Sequence, residues 1–573
     1  MKKRWNILSP DSYTIKTLSN TLQITSITAS VLVNRGHHSP EQALSFIHTS
    51  LENIRSPFEI KDIDTAVKRI FEAIINKEKI LVFGDYDADG ITATAIILEF
   101  LTYTGANVSY YIPHRKKEGY GLQTCHILEY AIPNGINLII TADCGSSSYE
   151  AIHSAKRSEI DVIVIDHHNI SEDLPSAAAV VNPKRHDCDS CFHDLSAVGM
   201  VFCVLICLRK FMRDMGFWQT VPEPNLKNGC DLVALGTMAD IVPLINENRI
   251  FVKTGLDIIR QGERPGVRAL IDASNINKAS VAEEDISFKL APRLNAAGRI
   301  GHAREAVELL TEKDISNATR IAQSLNKMNS QRQQIEQKIL LHIESYIKKN
   351  PHILHKKSMV LADNSWDEGV LGIVASKLVD RYFRPVVLFA VADGMGKGSA
   401  RSIPGFDLYN GLQVCSDYLE NFGGHKMAAG LKIHPVKIDS FKHAFDAVVN
   451  QMTTPEDFIP LLDIDLEIHF DDISESLLDE IEKLKPFGTG NTEPVFMACN
   501  IHVISSDIVG KNHRRMRLNQ VTGNKNNIVN AIHFNIDPGI EDVDHFKKMA
   551  FQLRWNRWNS RKSIQLIVID IET

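Results

Sequence analysis

Apolar and polar positions change rhythm along the chain. Residues 1–75 are polar with helical composition and turn signals at Arg35-Gly36 and Ser56-Pro57. From Ile80 onward short apolar runs recur: ILVF (80–83), LII (138–140), VIVI (162–165) and AVV (179–181). Stretches of helical composition separate them, such as 91–104, closed by Gly105. Alternating apolar runs and helical stretches predict βαβ units around a parallel sheet. Residues 311–350 contain neither Gly nor Pro and predict one long helix, a connector between two domains. The βα pattern resumes at MVLA (359–362) and VVLFAVADG (386–394). After Glu456 the period becomes two: Leu462, Ile464, Leu466, Ile468 and Phe470 alternate with Asp463, Asp465, Glu467 and His469. Phe551, Leu553 and Trp555 alternate as well, so a small, half-buried antiparallel β-domain is expected at this end. The expected divisions are a helical segment 1–75, an α/β domain 76–310, a connecting helix 311–350, a second α/β domain 351–455 and a β-domain 456–573.

Composition narrows the class. At 573 residues, 44% hydrophobic and 23% charged, the chain reads as an ordinary globular protein. No apolar run approaches the ~20 residues needed to span a bilayer, and the basic start MKKRW has no apolar stretch after it. Nine scattered cysteines are odd in number and suit a reducing cytoplasm. The net charge of −7 assigns any nucleic-acid partner to local basic patches.

Each apolar run of the first α/β domain ends in a polar cluster: GDYDADG, TADCG, DHH and NPKRHD. Ligand sites of open α/β sheets lie beyond the carboxyl ends of the strands, so these clusters share one rim. There they gather Asp85, Asp87, Asp89, Asp143, Asp166, His167 and His168, joined by Asp240 from GTMADIVPL. Carboxylates and imidazoles without thiolate suit Mn²⁺ or Mg²⁺. Five or six ligands are too many for one closed zinc site and match two ions sharing a carboxylate, an arrangement that hydrolyses phosphodiesters. Taken alone, DxDxDG also occurs in surface turns and calcium loops, and DHH in polar cores. The joint occurrence of the clusters at strand ends favours the metal reading. His186, Cys188, Cys191 and His193 in HDCDSCFH have zinc-binding residue types, but four ligands within eight residues strain a tetrahedron.

Basic residues form further sets. Arg293, Arg299, Ser399 and Arg401 lie among small residues, where guanidinium forks and hydroxyls suit a phosphate; surface ion pairing is the alternative. In the β-domain, KNHRRMR (511–517) and RWNRWNSRK (554–562) mix cations with aromatics. Arg514 and Arg515 would track phosphates, and Trp558 would stack on bases, because alternation buries Trp555.

In order, GDYDADGIT, TADCG, DHH and GTMADIVPL resemble the motifs of the DHH phosphoesterase superfamily. IPHRKKEGYGL, APRLNAAGRIGHA, WDEGVLGIVASKL, GSARSIPGFDL, FGGHKMAAG and PFGTGNTEPVF extend the likeness, nearly end to end, to its bacterial single-strand-specific exonuclease branch. The resemblance implies a DHH catalytic domain, a long linking helix, a DHHA1 domain and a C-terminal OB-fold barrel. It further implies 5′→3′ degradation of single-stranded DNA to mononucleotides in recombination and repair. Asp87, Asp89, Asp143, His167 and Asp240 then stand as metal ligands, with Asp85 beside them. His168 becomes the phosphate contact or proton donor, and Asp166 the group that orients His167. Arg299, Arg401, Ser399 and Arg293, with Arg115 a weaker member, would hold the 5′-terminal phosphate; His425 would face the active site from DHHA1. Phe83, Asp367 and Thr492 depart from the pattern, the first where related phosphatases place a histidine. A monomer is expected, with single-strand-binding protein and a recombination helicase as candidate partners. The alternatives are a DHH phosphodiesterase of short oligonucleotides or cyclic dinucleotides, and a non-catalytic single-strand-binding scaffold.

Overall fold

A computed structural model describes residues 3–520, 527–536, 543–558 and 561–573. The first apolar run forms β2 (Lys79–Gly84), an interior strand of a five-stranded parallel sheet with β3 (Asn107–Tyr111), β4 (Leu138–Ala142), β5 (Asp161–Ile165) and β6 (Ala179–Val181). The strand order is β3-β2-β4-β5-β6. Val82, Ile140 and Ile163 face one helical layer and Leu81, Ile139 and Val164 the other, which is why these strands read as unbroken apolar runs.

The 35-residue helix Ile315–Lys349 spans about 52 Å at ~1.5 Å per residue. Its first turns (Ala318, Ala322, Leu325) belong to the core of the parallel-sheet domain and its last (Ile339, Ile343, Ile347) to a second core. That second core lies under a mixed sheet of β7 (Met359–Asp363), β8 (Val386–Ala392), β9 (Met395–Arg401), β10 (Asn421–His425) and β11 (Ala428–Ile433), ordered β10-β11-β9-β8-β7.

The last domain is a barrel. Strands β14 (Phe496–Val509), β15 (His513–Gln520), β16 (Ile528–His533), β18 (Arg561–Glu572) and β17 (His545–Trp558) pair in that order, and β14 pairs again with β17 to close it. Alternation at 462–470 does place Ile464, Ile468 and Phe470 inside. The antiparallel expectation fails there. The short strand β12 (Leu461–Ile464) runs parallel to β1 (Arg4–Ile7), and β13 (Leu466–Glu467) parallel to β14. A period of two fixes which face is buried, not the direction of the neighbouring strand.

The two chain ends meet. Leu18, Val31, Leu32 and Phe46 share one apolar core with Leu477, Phe496, Phe546 and Phe551, whereas Ile63, Val67 and Ile70 join the parallel-sheet core. Arg249, 1% exposed, ties these parts together. Its guanidinium donates to the carbonyls of Phe46, Lys485 and Pro486 and lies 3.8 Å over the Phe46 ring.

Candidate active site

The loop after β2 is shaped by its own acids. Asp87 caps the helix Ala88–Tyr103, its Oδ1 accepting from the N–H groups of Asp89 (3.0 Å) and Gly90 (3.2 Å). A Cβ on Gly90 would lie 2.7 Å from the Asp85 backbone, so only glycine fits there. Asp89 points inward and accepts from the N–H groups of Ala197 (2.7 Å) and Val198 (2.9 Å), the start of the helix Ala197–Asp214. Asp143 follows β4 in the left-handed region at φ +66°. His167 and His168 follow β5, and Asp240 ends the helix Cys230–Asp240.

Folding brings all the expected ligands together. His167 Nε2 lies 3.3 Å from Asp143, 3.6 Å from Asp240 and 3.8 Å from Asp89. Three groups have ligand atoms close enough to surround an ion: Asp85/Asp87/Asp143, Asp143/His167/His168 and Asp89/His167/Asp240. Asp143 is shared by the first two groups and His167 by the last two. Burial, then the charge of Asp87, pushes the carboxyls of Asp85 and Asp143 well above the carboxylate range. The same causes raise Asp89 to about 7. Burial, then Asp89 and Asp87, raises Asp240 to about 8. Both ring nitrogens of His167 and Oδ1 of Asp85 are buried without a hydrogen-bond partner. Burial lowers His167 to about 4, leaving a neutral imidazole. Repelling acids around an unpartnered neutral imidazole fit divalent cations.

Asp166 works differently from the expectation that it orients the His167 ring. It accepts from the backbone N–H groups of His167 (2.8 Å), His168 (3.2 Å) and Ser146 (3.1 Å), and its ring contact is Nδ1 of His168 at 2.8 Å. Burial opposes the charge on His168, yet the bond to Asp166 raises it to about 9. His168 is half-exposed and faces outward. Two neighbours escaped the sequence reading. Tyr120 donates to the Asp143 carbonyl (3.0 Å) and lies 3.2 Å from His168 Nδ1; Asn182 donates to the His168 carbonyl (2.9 Å). Both sit in noted segments, EGYGL and NPKRHD, but only the folded chain shows which way they point.

The phosphate set divides. Arg299 is lowered to about 9 by burial and then by Arg115, Arg332 and Arg401, so these four guanidiniums crowd one another. Arg299 Nη1 donates to the Gly369 carbonyl (2.9 Å), and Lys116 pairs with Asp367 (3.0 Å), joining the two α/β domains across the cleft. Arg401 Nη1 donates to Ser399 Oγ at 3.3 Å, and Gly372, in the first turn of the helix Leu371–Tyr382, leaves room for that guanidinium. His425, exposed at the end of β10, is lowered by partial desolvation and then by the charges of Arg401 and His168. Arg293 donates to Asn326 and the Lys289 carbonyl, and burial and then the charge of Arg332 lower it.

In the barrel, alternation along β15 turns Arg514 inward, 5% exposed, and Arg515 outward beside Asp507. Trp555 is half-buried under Lys562, and the Trp558 side chain lies outside the described residues. Of His186, Cys188, Cys191 and His193 only Cys188 is buried, beside Ser190, and among the described residues these four form no metal-ligand group.

A parallel sheet with this acid–imidazole rim is the architecture of a DHH phosphoesterase, and the model of the DHH family, N-terminal domain, matches residues 79–237. The DHHA1 domain model matches 355–451 and the RecJ OB domain model 464–570. The chain is 36% identical over 573 residues to the single-stranded-DNA-specific exonuclease RecJ of Bacillus subtilis (strain 168), covering 99% of this chain and 71% of that protein. It is 33% identical to the Escherichia coli (strain K12) enzyme of the same name, with 90% of each covered. A crystal structure of RecJ in complex with Mn²⁺ from Thermus thermophilus superimposes with a TM-score of 0.85 at 27% identity, covering 100% of this chain and 79% of that one. The chain belongs to the RecJ family.

Proposed function

We propose that this protein is a metal-dependent exonuclease specific for single-stranded DNA, working 5′→3′ and releasing 5′-mononucleotides in recombination and repair. The observation that carries the reading is the linked ligand set. Asp143 joins the Asp85/Asp87 group to the histidines, and His167 joins them to Asp89 and Asp240. Two Mn²⁺ or Mg²⁺ ions, when bound, supply a nucleophilic water and stabilise charge on the scissile phosphate. Asp87, Asp89, Asp143, His167 and Asp240 hold them, and Asp85 closes the buried side.

The remaining residues bind and orient. Asp166 fixes Nδ1 of His168, so the Nε2–H of the cationic ring is offered to a phosphate oxygen. Arg115, Arg299 and Arg401, with Ser399, make a crowded cationic pocket that a doubly charged 5′ phosphate relieves. His425, which feels the charges of both Arg401 and His168, would add a contact to the strand beside that pocket. The barrel contributes Arg515 as a backbone contact. The same reading makes the chain a cytoplasmic monomer that works beside single-strand-binding protein and a recombination helicase. Among the described residues no helix is long and apolar enough to cross a membrane.

The test is digestion of 5′- and 3′-labelled single strands and duplexes, with and without Mn²⁺. Mononucleotides should appear first from the 5′ end of single strands, only with metal. Preference for dinucleotides or cyclic dinucleotides over long strands would overturn the reading.

A further inference from the structure

Two features beside the metal rim take no part in the chemistry above. Ile241, the residue after Asp240, holds φ at +62° and is 71% exposed. A left-handed backbone is a costly conformation for a β-branched side chain, and such strain gathers at functional sites. Phe288 lies on a single π-helical turn, Ile286–Leu290, and is 77% exposed. Such turns are rare and frequently functional. Both side chains line one cavity of about 290 Å³, closed on the barrel side by Phe487 and Thr489. Its floor is the last turn of the helix that carries Asp240.

Among the described residues no lysine or arginine lines this cavity. Its two acids are engaged: Glu283 accepts from the N–H of Phe487 (3.1 Å), and Glu284 pairs with Arg554 (2.6 Å). Apolar walls with carboxylates at the edge repel a phosphate and accept a flat, uncharged ring. We propose that the cavity takes one nucleobase of the strand whose backbone crosses the metal centre, stacked on Phe288 and held against Ile241. The proposal rests on the single-strand hydrolysis proposed above. Phe288 and Arg299 stand 11 positions apart on the π turn and the helix Ala291–Ile300 that continues it, about 16 Å at ~1.5 Å per residue. Single-stranded nucleic acid covers that distance within about five stacked nucleotides at ~3.4 Å each. The base bound here therefore belongs to one of the first few nucleotides behind the 5′ end.

An abasic scan tests this. Single 5′-phosphorylated strands carry one abasic nucleotide at each of the first six positions, and initial cleavage is measured for the wild type, Phe288→Ala and Phe288→Trp. For the wild type, one position should lower kcat/KM by about five- to a hundredfold, the range of base–aromatic stacking. Phe288→Ala should lower cleavage of the intact strand by a similar factor and lose nothing more at that position, while Phe288→Trp keeps the wild-type profile. Phe288 is exposed, so thermal unfolding of the alanine variant should match the wild type. A flat wild-type profile, or a Phe288→Ala profile that falls equally at every position, overturns the base pocket while single-strand digestion stands. Absence of digestion by the wild type would instead overturn the proposed function on which the pocket depends.

Discussion

Asp143→Asn keeps the shape of the side chain and removes one charge from the centre of the rim. Asp143 belongs to two of the three groups that could hold an ion, so with two ions bound as proposed the change would remove a charged contact to each. At roughly 1.5–3 kcal/mol per charge-assisted contact the loss is about 3–6 kcal/mol. At 1.36 kcal/mol per tenfold, hydrolysis should fall by about 10²–10⁴. Stability of the metal-free protein should move the other way. Asp85, Asp89, Asp143 and Asp240 are all raised by burial and then by the charge of neighbouring acids, Asp87 among them in every case. An acid raised in the folded state stabilises fully below its unfolded pKa, and that contribution disappears as pH rises through the folded value, about 7 for Asp89 and about 8 for Asp240. His168, raised to about 9, loses its contribution in the same direction. The thermal midpoint of EDTA-treated wild type should therefore fall as pH rises, from the acids between about pH 4 and 8 and from His168 between about pH 6.5 and 9. Relief of the repulsion in Asp143→Asn should flatten that fall and raise the midpoint at pH 8, by roughly 2–4 °C per kcal/mol regained. Saturating Mn²⁺ should stabilise the wild type by about 2.7 kcal/mol for each ion at a hundred times that site's Kd, and the variant less. The measurements are Mn²⁺-dependent release of mononucleotides and calorimetry with and without metal. A variant within tenfold of wild-type turnover, or one less stable than wild type without metal at pH 8, would refute the argument.

Arg401→Ala should reduce cleavage of 5′-phosphorylated strands about ten- to a hundredfold and of 5′-hydroxyl strands less, since a charged contact is worth roughly 1.5–3 kcal/mol; equal losses at fixed salt would move the terminal-phosphate site away from this residue. Arg249→Met removes three donors to the carbonyls of Phe46, Lys485 and Pro486 and should destabilise by roughly 3–5 kcal/mol. Limited proteolysis should then separate the barrel and the N-terminal helices from the rest, and an unchanged digestion pattern would contradict the role given to Arg249. Deleting 456–573 alone strips the cover from Leu18, Val31, Leu32 and Phe46, so that fragment should aggregate. A fragment lacking 1–55 as well should stay soluble, cut short strands and bind long ones weakly; equal solubility of the two fragments would refute the shared core.

Local rules made much of this protein legible. Four apolar runs each closed by acids or histidines can hardly be placed except as parallel strands with a polar rim, because side chains at strand ends share one edge of the sheet. The 35-residue helix followed from the absence of Gly and Pro in its interior. Which acids and histidines gather at the rim was likewise a matter of residue type. Pairing and facing were not. Whether Leu462 and Leu466 lie in parallel or antiparallel strands depends on a partner 457 residues away in one case, Trp5 opposite Leu462, and on β14 in the other. Asp166 stands beside His167 in sequence, but its ring contact is with His168, a choice made by backbone direction after β5. Arg514 and Arg515 are chemically alike, and only the closed barrel sends one inside and the other out. By itself the sequence determined the chemistry carried to each strand end and the local elements that carry it, because these depend on near neighbours. The tertiary structure alone decided that the first 47 residues and the barrel share a core, that Arg115, Arg299, Arg332 and Arg401 crowd together, and that Phe288 meets Ile241 across a cavity. Those contacts join residues far apart along the chain, and burial and charge acquire their energies only once such residues are brought together.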